Sequence, residues 1–522
     1  MTTKHFRVGR FVAVASLTWA CSQRPDPAKP PSQSATPKAA TEEGALAPGL
    51  APAADPTSRP PPADLPGGAS HFVKPLAEHW TGDLDQMVDR RRIRVLVTPT
   101  RTQYWVEQGK QTGAEYEMVR AFEDRLNKTF VRRKHLKISV IFIPTSRGDL
   151  LPALLDGRGD IAVGALTITP ERLAQADFGG PFYRGIREVP VTGPQSPTLN
   201  TLDDLAGKEV VVRKSSSYWT HLEALNRRFV AERKPPVSLK AAPEDLTDDD
   251  LMEMVNAGLI GTTVVDRYSA RLWSKIFTDL HVHLDIAVND EGEMGWLIRK
   301  SSPELKAEIG AFARSHGQGT TFGNTVIKKY TGSTRFVKNA ASPQALARFR
   351  GMVDLFRKYG DRYSLDYLLM VAQGYQESQL QQGKRSPVGA VGVMQIMPTT
   401  GRSLKVGDIH QLEPNIHAGV KYIRVVIDQY FAREPMTELD RTLFAFAAYN
   451  AGPSRIQRLR AEAAKRGLDP NVWINNVEVV AAEKIGSETV TYVSNIYKYY
   501  VAYVLTMQQM QARQDAAGQV AR

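Results

Sequence analysis

From residue 93 the chain alternates short apolar runs with stretches whose apolar residues recur every three or four positions. Residues 93–97, 138–143, 160–164, 208–212, 262–266 and 294–298 read as strands, whereas 115–126 and 150–155 read as helices. Strands alternating with helices indicate an α/β domain with largely parallel sheets, and about 240 residues of that pattern indicate two lobes. Beyond residue 342 the pattern is helical alone. Leu365, Leu368, Leu369, Ala372 and Gln376 share one face of a helix expected to start at Ser364, with Ser364 as its N-cap and Asp366 in its first turn. Residues 416–430, 443–450 and 489–508 continue the helical series, and Gly452 and Pro453 stop the second of these. The expected fold is therefore multidomain: a two-lobed α/β module followed by a mainly α domain.

The N-terminus departs from both patterns. Lys4, Arg7 and Arg10 precede a ten-residue apolar core, 11–20, which is too short to span a bilayer as a helix and ends at Cys21. This reads as an export signal. With the chain's only cysteine at the cleavage position, it resembles a bacterial lipoprotein signal, 1–21. That resemblance implies lipidation of Cys21, and Ser22 behind it implies the periplasmic face of the outer membrane; Thr18 stands where the lipoprotein pattern prefers Leu. Residues 22–78 are dominated by Pro, Ala, Ser, Thr and Gly and read as a disordered linker. The formal net charge of +12 favours anionic partners, but no basic run with interleaved aromatics points to nucleic acid. Ten scattered histidines and one cysteine make no metal-ligand cluster, and no phosphate loop stands out, so no cofactor is expected.

Three short words carry the candidate chemistry: Gln376-Glu377-Ser378, Gly392-Val393-Met394-Gln395 and Ala448-Tyr449-Asn450. Glu377 falls at the margin of the apolar stripe of its helix, where a partly desolvated carboxyl is suited to proton donation near neutrality. Spacing alone better fits a solvated helix-end glutamate, and it is the words that follow that change this. The glycines allow close backbone approach to a ligand, and the Gln395 amide suits an acetamido sugar. Together with residues 488–493, in this order and at these separations, the words resemble the soluble-type lytic transglycosylases, a lysozyme-like family. The resemblance covers about 363–504, with Gly-Val-Met-Gln replacing the family's usual Gly-Leu-Met-Gln. It implies that Glu377 is the catalytic acid and base, and that Ser378, Met394, Gln395, Tyr449, Asn450 and Tyr492 position the glycan. The implied reaction cleaves the β-1,4 bond between N-acetylmuramic acid and N-acetylglucosamine and leaves 1,6-anhydromuramoyl ends.

The α/β module carries a second resemblance. Residues 154–161, the segment Thr167-Ile-Thr-Pro-Glu-Arg172 and residues 177–183 resemble the periplasmic solute-binding proteins for amino acids, over roughly 83–337. That family implies Arg172 as the clamp on a ligand carboxylate, Ser216 as a second carboxylate contact and Asp266 as the ammonium partner. A guanidinium suits a carboxylate bidentately, and a hydroxyl run before a helix suits an anion. With such lobes in front, the chain as a whole is similar to a membrane-bound group of lytic transglycosylases. The expected organisation is signal 1–21, linker 22–78, solute-binding-like sensor 79–337, lytic transglycosylase domain 342–508 and polar tail 509–522. An amino acid or muropeptide in the sensor would modulate an enzyme acting on peptidoglycan strands. The alternatives are a hydrolytic lysozyme-like muramidase and a non-catalytic wall-binding receptor.

Overall fold

In a computed structural model of the chain, residues 78–131, 136–196, 198–332, 334 and 343–520 are described. The signal with Cys21, the linker 22–77 and most of the join at 332–341 lie outside the described residues. All described residues fall in one compact unit, Pro37–Arg522.

The first half supplies eleven strands: β1 (Arg92–Val97), β2 (Trp105–Glu107), β3 (Lys110–Thr112), β4 (Ser139–Pro144), β5 (Ile161–Thr167), β6 (Asp177–Thr192), β7 (Glu209–Arg213), β8 (Ser238–Ala242), β9 (Thr262–Asp266), β10 (His281–Val282) and β11 (Asn289–Ile298). The main sheet runs β10-β6-β11-β5-β1-β4, with β9 also on β6. The expectation of largely parallel sheets holds for β4-β1-β5 and for the separate β7-β8 pair. It fails around β6, whose partners β9, β10 and β11 are all antiparallel. The reason is length. β6 pairs with β11 from Asp177 to Glu188 and with β9 and β10 from Glu188 to Thr192, so one strand of 16 residues runs through both lobes. Ile93, Val95, Phe122, Phe142, Trp296 and Phe312 fill the first lobe's core, and Val189, Val191, Leu251, Val265 and Trp273 that of the second.

The second half is helical. Its central element is Tyr367–Ser378, and ten of its 12 residues are buried, as befits a helix apolar nearly all round. The expected cap, Ser364, instead sits at φ +51°, and Asp366 caps the helix by accepting the Leu368 N–H. Asp366 also accepts the Tyr500 hydroxyl at 2.6 Å, so one carboxylate fixes the helix start against the C-terminal helix. Gln379, left-handed at φ +56°, ends the helix one residue after Ser378.

The C-terminal helix does not stop near residue 508. It runs Ser487–Val520, and the segment expected as a polar tail buries Ala516 in the second lobe's core. Along the way it packs against β4, the edge strand of the main sheet. Lys498 pairs with Glu123 at 3.1 Å and the Tyr503 hydroxyl donates to the Gly109 carbonyl at 2.6 Å. Ile141 of β4 belongs to the same apolar cluster as the helical core. A helix laid on a sheet edge covers backbone groups that would otherwise invite pairing. Among the described residues no helix is long and apolar enough to cross a membrane.

Asp366→Ala removes both the cap and the partner of Tyr500. Stability should fall by about 1–2 kcal/mol in urea unfolding, whereas Tyr500→Phe, which leaves the cap, should cost less.

Candidate active site

Glu377 occupies the last turn of the central helix, one residue from its end. The sequence placed it at the margin of an apolar stripe; in the fold it is 5% exposed. Burial pushes its carboxyl up to about 8, while the Tyr492 hydroxyl and the Lys384 ammonium pull in the other direction. Tyr492, on the C-terminal helix and itself buried, donates to Glu377 Oε1 at 2.5 Å. Lys384 donates to the backbone carbonyl of Glu377 at 3.1 Å. The Tyr449 hydroxyl feels the same carboxylate: burial and then Glu377 hold it well above the ordinary phenol range. One carboxyl is thus enclosed by two neutral phenols and approached by one cation.

A raised carboxyl has a consequence for stability. The folded state favours protonated Glu377, so its contribution is full below the unfolded value of 4.5 and is lost as pH rises through about 8.

The loop opposite is held by backbone bridges between Arg385 and Val391 and between Val391 and Ile396. Gly392 turns it at φ +82°, and a Cβ there would meet the Asn415 side chain at 2.4 Å. Asn415, fully buried on the Leu412–Tyr430 helix, accepts from the Met394 N–H and donates to the Val391 and Ile409 carbonyls. Every polar atom of that side chain is committed to holding the loop. From the Glu438–Ala451 helix, the Tyr449 hydroxyl donates to the Met394 carbonyl at 2.5 Å, and Asn450 accepts from the Thr489 hydroxyl at 2.7 Å.

The structure brings Glu377, Ser378, Met394, Gln395, Tyr449, Asn450 and Tyr492 into one region, in different positions from a shared sugar-facing set. The Ser378 hydroxyl is spent on the Gly374 and Val393 carbonyls, so it ties the helix end to the loop and leaves the carboxyl to Tyr492. Met394 is fully buried against Gly419, and offers no surface to a ligand. Gln395, at φ +46°, spends its amide N–H groups on the Gly392 and Lys384 carbonyls. Asn450 is half-buried and keeps its amide N–H groups available. Sequence reasoning missed Gln373, Lys384 and Asn415. Gln373 was findable, because it lies four residues before Glu377 and so on the same face. Asn415 carried no local signal.

In the α/β module the three expected ligand residues separate. Asp266, at the end of β9, lines a cleft between the lobes with Thr98, Thr102, Arg147, Asp248 and Tyr268. Its Oδ1 is buried without a partner, and burial beside Glu188 and Asp248 holds the carboxyl well above its usual range. Arg172 and Ser216 do not line that cleft. The Arg172 guanidinium donates to the Thr167 and Ser215 carbonyls, 2.6 and 2.8 Å, and so bridges the two lobes through backbone. Ser216 caps the Ser217–Ala231 helix and donates to the Arg213 carbonyl. Two other arginines do reach the cleft: Arg147, bonded to the Gly164 and Ala165 carbonyls, and Arg213, which donates to the Leu246 carbonyl and pairs with Asp248. Among the described residues no cluster of His, Cys, Asp and Glu is arranged to hold a metal.

Comparison with known proteins divides the chain at the same place. The model of the Transglycosylase SLT domain matches residues 354–471, and that of bacterial extracellular solute-binding proteins, family 3, matches residues 93–332. The chain is 29% identical over 462 residues to a protein of Ectopseudomonas mendocina (strain ymp) named membrane-bound lytic murein transglycosylase F, covering 83% of this chain and 88% of that one. It is 27% identical over 434 residues to a protein of the same name from Desulfosudis oleivorans, covering 78% and 89%. A solved ancestral arginine-binding protein bound to arginine is 21% identical, with a TM-score of 0.38, covering 46% of this chain and 97% of its own.

Gly392→Ala combines a strained φ with a clash on Asn415. It should cost about 2–4 kcal/mol and lower the melting temperature more than Gly389→Ala, where φ is also positive but no atom lies within 4 Å of the added Cβ.

Proposed function

For a chain that joins a family 3 solute-binding module to a Transglycosylase SLT domain, we propose the activity carried by the name of its relatives, lytic cleavage of murein. The observation that carries this reading is Glu377: a buried carboxyl, pushed up to about 8, whose neighbours are phenols and one lysine. Such a group is protonated at neutral pH and can give its proton to the oxygen leaving C1 of N-acetylmuramic acid. As the carboxylate it then takes the proton of the muramoyl 6-hydroxyl, which attacks C1 and closes the 1,6-anhydro ring. One residue serves as acid and then as base.

The groups that shift Glu377 include no second carboxylate, and Asp366, at the far end of the same helix, is engaged as a cap and with Tyr500. A two-carboxylate hydrolase needs its second acid about 5–10 Å from the first. This favours the lyase outcome over the hydrolytic one. Tyr449 and Tyr492 place neutral dipoles beside the site, and Asn450 supplies free amide hydrogens for the sugar. In this reading Ser378, Met394 and Gln395 act by shaping the loop and helix end, not by touching glycan.

The sensor reading is revised accordingly. Asp266 with its unpartnered oxygen is the contact for a ligand ammonium, and Arg147, which unlike the cleft's other arginine, Arg213, is not paired with Asp248, replaces Arg172 as the ligand's guanidinium, while Arg172 latches one lobe to the other. The C-terminal helix offers a direct physical route between the modules. It holds Tyr492 on Glu377, Lys498 on Glu123 of the first lobe, and Ala516 in the core of the second. From Tyr492 to Ala516 that is about 36 Å of continuous helix. A ligand that moves the lobes therefore acts on the element that carries Tyr492. Export, and tethering to the outer membrane through a lipid on Cys21, complete the proposal.

Mature protein incubated with purified sacculi should release anhydro-ended muropeptides, read by mass spectrometry. Glu377→Gln should reduce that release by a factor of about 10²–10⁴ while unfolding as cooperatively as wild type. Reducing-end products would identify a hydrolase, and no product from either protein would favour a wall-binding receptor. Because the acid form is required, the rate should fall as pH rises through about 8. Over pH 4.5–8 Glu377→Gln should gain stability relative to wild type, since it has no carboxyl to ionise in a buried site.

A further inference from the structure

A second buried polar side chain lies beside the acid, and neither the reading above nor the motifs give it a role. Gln373 stands one helical turn before Glu377 and is fully buried. Its Nε2 lies 3.3 Å from the Tyr492 hydroxyl, and its Oε1 is buried with no hydrogen-bond partner. An amide placed for packing or folding alone would have both ends satisfied, because a buried carbonyl without a partner is costly. Here one end is left unsatisfied while the other meets the phenol that touches the catalytic carboxyl.

The direction of the hydrogen bonds follows from their chemistry. An ionised Glu377 only accepts, so the Tyr492 proton points to Oε1, and the phenol oxygen is left as an acceptor for the Gln373 N–H. No described hydrogen bond reaches Glu377 Oε2, and that atom is not among the enclosed, unpartnered ones. It is therefore the carboxyl oxygen open to a ligand.

We propose that Gln373 is a positioning residue, which occupies the acceptor side of the Tyr492 hydroxyl and so keeps the phenol proton on Glu377 Oε1 and the acid's own proton on Oε2. Without it, the phenol oxygen is free to accept a proton held on Oε1, which faces away from the ligand. The relay Gln373 N–H to Tyr492 O–H to Glu377 thus commits the carboxyl to one productive oxygen in both halves of the reaction. Each bond in such a chain also strengthens the next. The titratable and charged groups facing Glu377 are Tyr492 from the C-terminal helix, Tyr449 from the Glu438–Ala451 helix and Lys384 from the loop. Gln373 acts on the carboxyl only through the first of these.

The inference rests on Glu377 as the acid, and the test separates the two. Gln373→Met keeps the side chain's length and removes both polar ends. In the sacculus assay its kcat should fall several-fold with KM unchanged. The alkaline limb of its pH–rate profile should move up by about half a unit, because the ionised carboxyl loses support and the protonated one gains an unproductive partner. In a Tyr492→Phe background the same substitution should change neither quantity, since no phenol remains to orient. The melting temperature of Gln373→Met should equal or exceed that of wild type, because an unsatisfied carbonyl leaves the core. A profile and kcat unchanged by Gln373→Met, an equal shift in the Tyr492→Phe background, or a lowered melting temperature with a raised KM would each overturn the relay. Turnover retained by Glu377→Gln would overturn the reading beneath it, whereas an inactive Glu377→Gln with a silent Gln373→Met would remove the relay alone.

Discussion

The contact between Glu377 on the central helix and Tyr492 on the C-terminal helix is where the chain's two requirements meet. A carboxyl stays protonated at neutral pH when it is held out of water, and a buried carboxyl needs partners that do not ionise beside it. Tyr492 and Tyr449 meet that need as neutral phenols in an apolar cluster. The geometry around them is then constrained in turn. Asp366 and Tyr500 fix the helix start, Ser378 ties its end to the loop, and Asn415 braces that loop where Gly392 leaves room for its side chain.

The same C-terminal helix makes the chain more than two modules on a string. Its first turns hold Tyr492 on Glu377, its middle lies on the edge of the α/β sheet, and its last turns are part of the second lobe's core. The strand β6, shared by both lobes, and Arg172, which reaches from Thr167 in one to Ser215 near the other, link the lobes themselves. A change in lobe spacing has few places to go that do not load this helix. That helix is the mechanical link between the two modules, and Asp266, in the cleft between the lobes, keeps one buried oxygen without a hydrogen-bond partner.

Much of this was legible in the chain because it is local. Strand and helix positions followed apolar periodicity, as at Ile161–Thr167 and Leu412–Tyr430, and the three words around Glu377, Gly392 and Tyr449 lie together in space. What was not legible depends on partners distant in sequence. Met394 and Gln395 belong to the motif, yet their side chains face the protein, since Gly419 admits the thioether and the Gly392 and Lys384 carbonyls take the amide. Arg172 sits in the right segment, but the Ser215 carbonyl claims its guanidinium. Residues 509–520 are polar with little periodicity, and their hold on the lobe, Ala516 and Ala517 at its core and Arg513 beside Asp249 and Asp250, leaves no pattern to read. The antiparallel part of the sheet arises from a strand about three times the usual length, a feature that alternation alone does not reveal.

The central claim is that Glu377 is a neutral acid at the pH where the protein works, and an infrared titration of that one group tests it most directly. With ¹³C-labelled glutamate, the difference spectrum between wild type and Glu377→Gln isolates the carboxyl stretch of residue 377. The account predicts a protonated carboxyl band that persists at pH 7 and disappears with a midpoint near 8. A carboxylate already ionised at pH 6, with its midpoint near the ordinary value of 4.5, would contradict it.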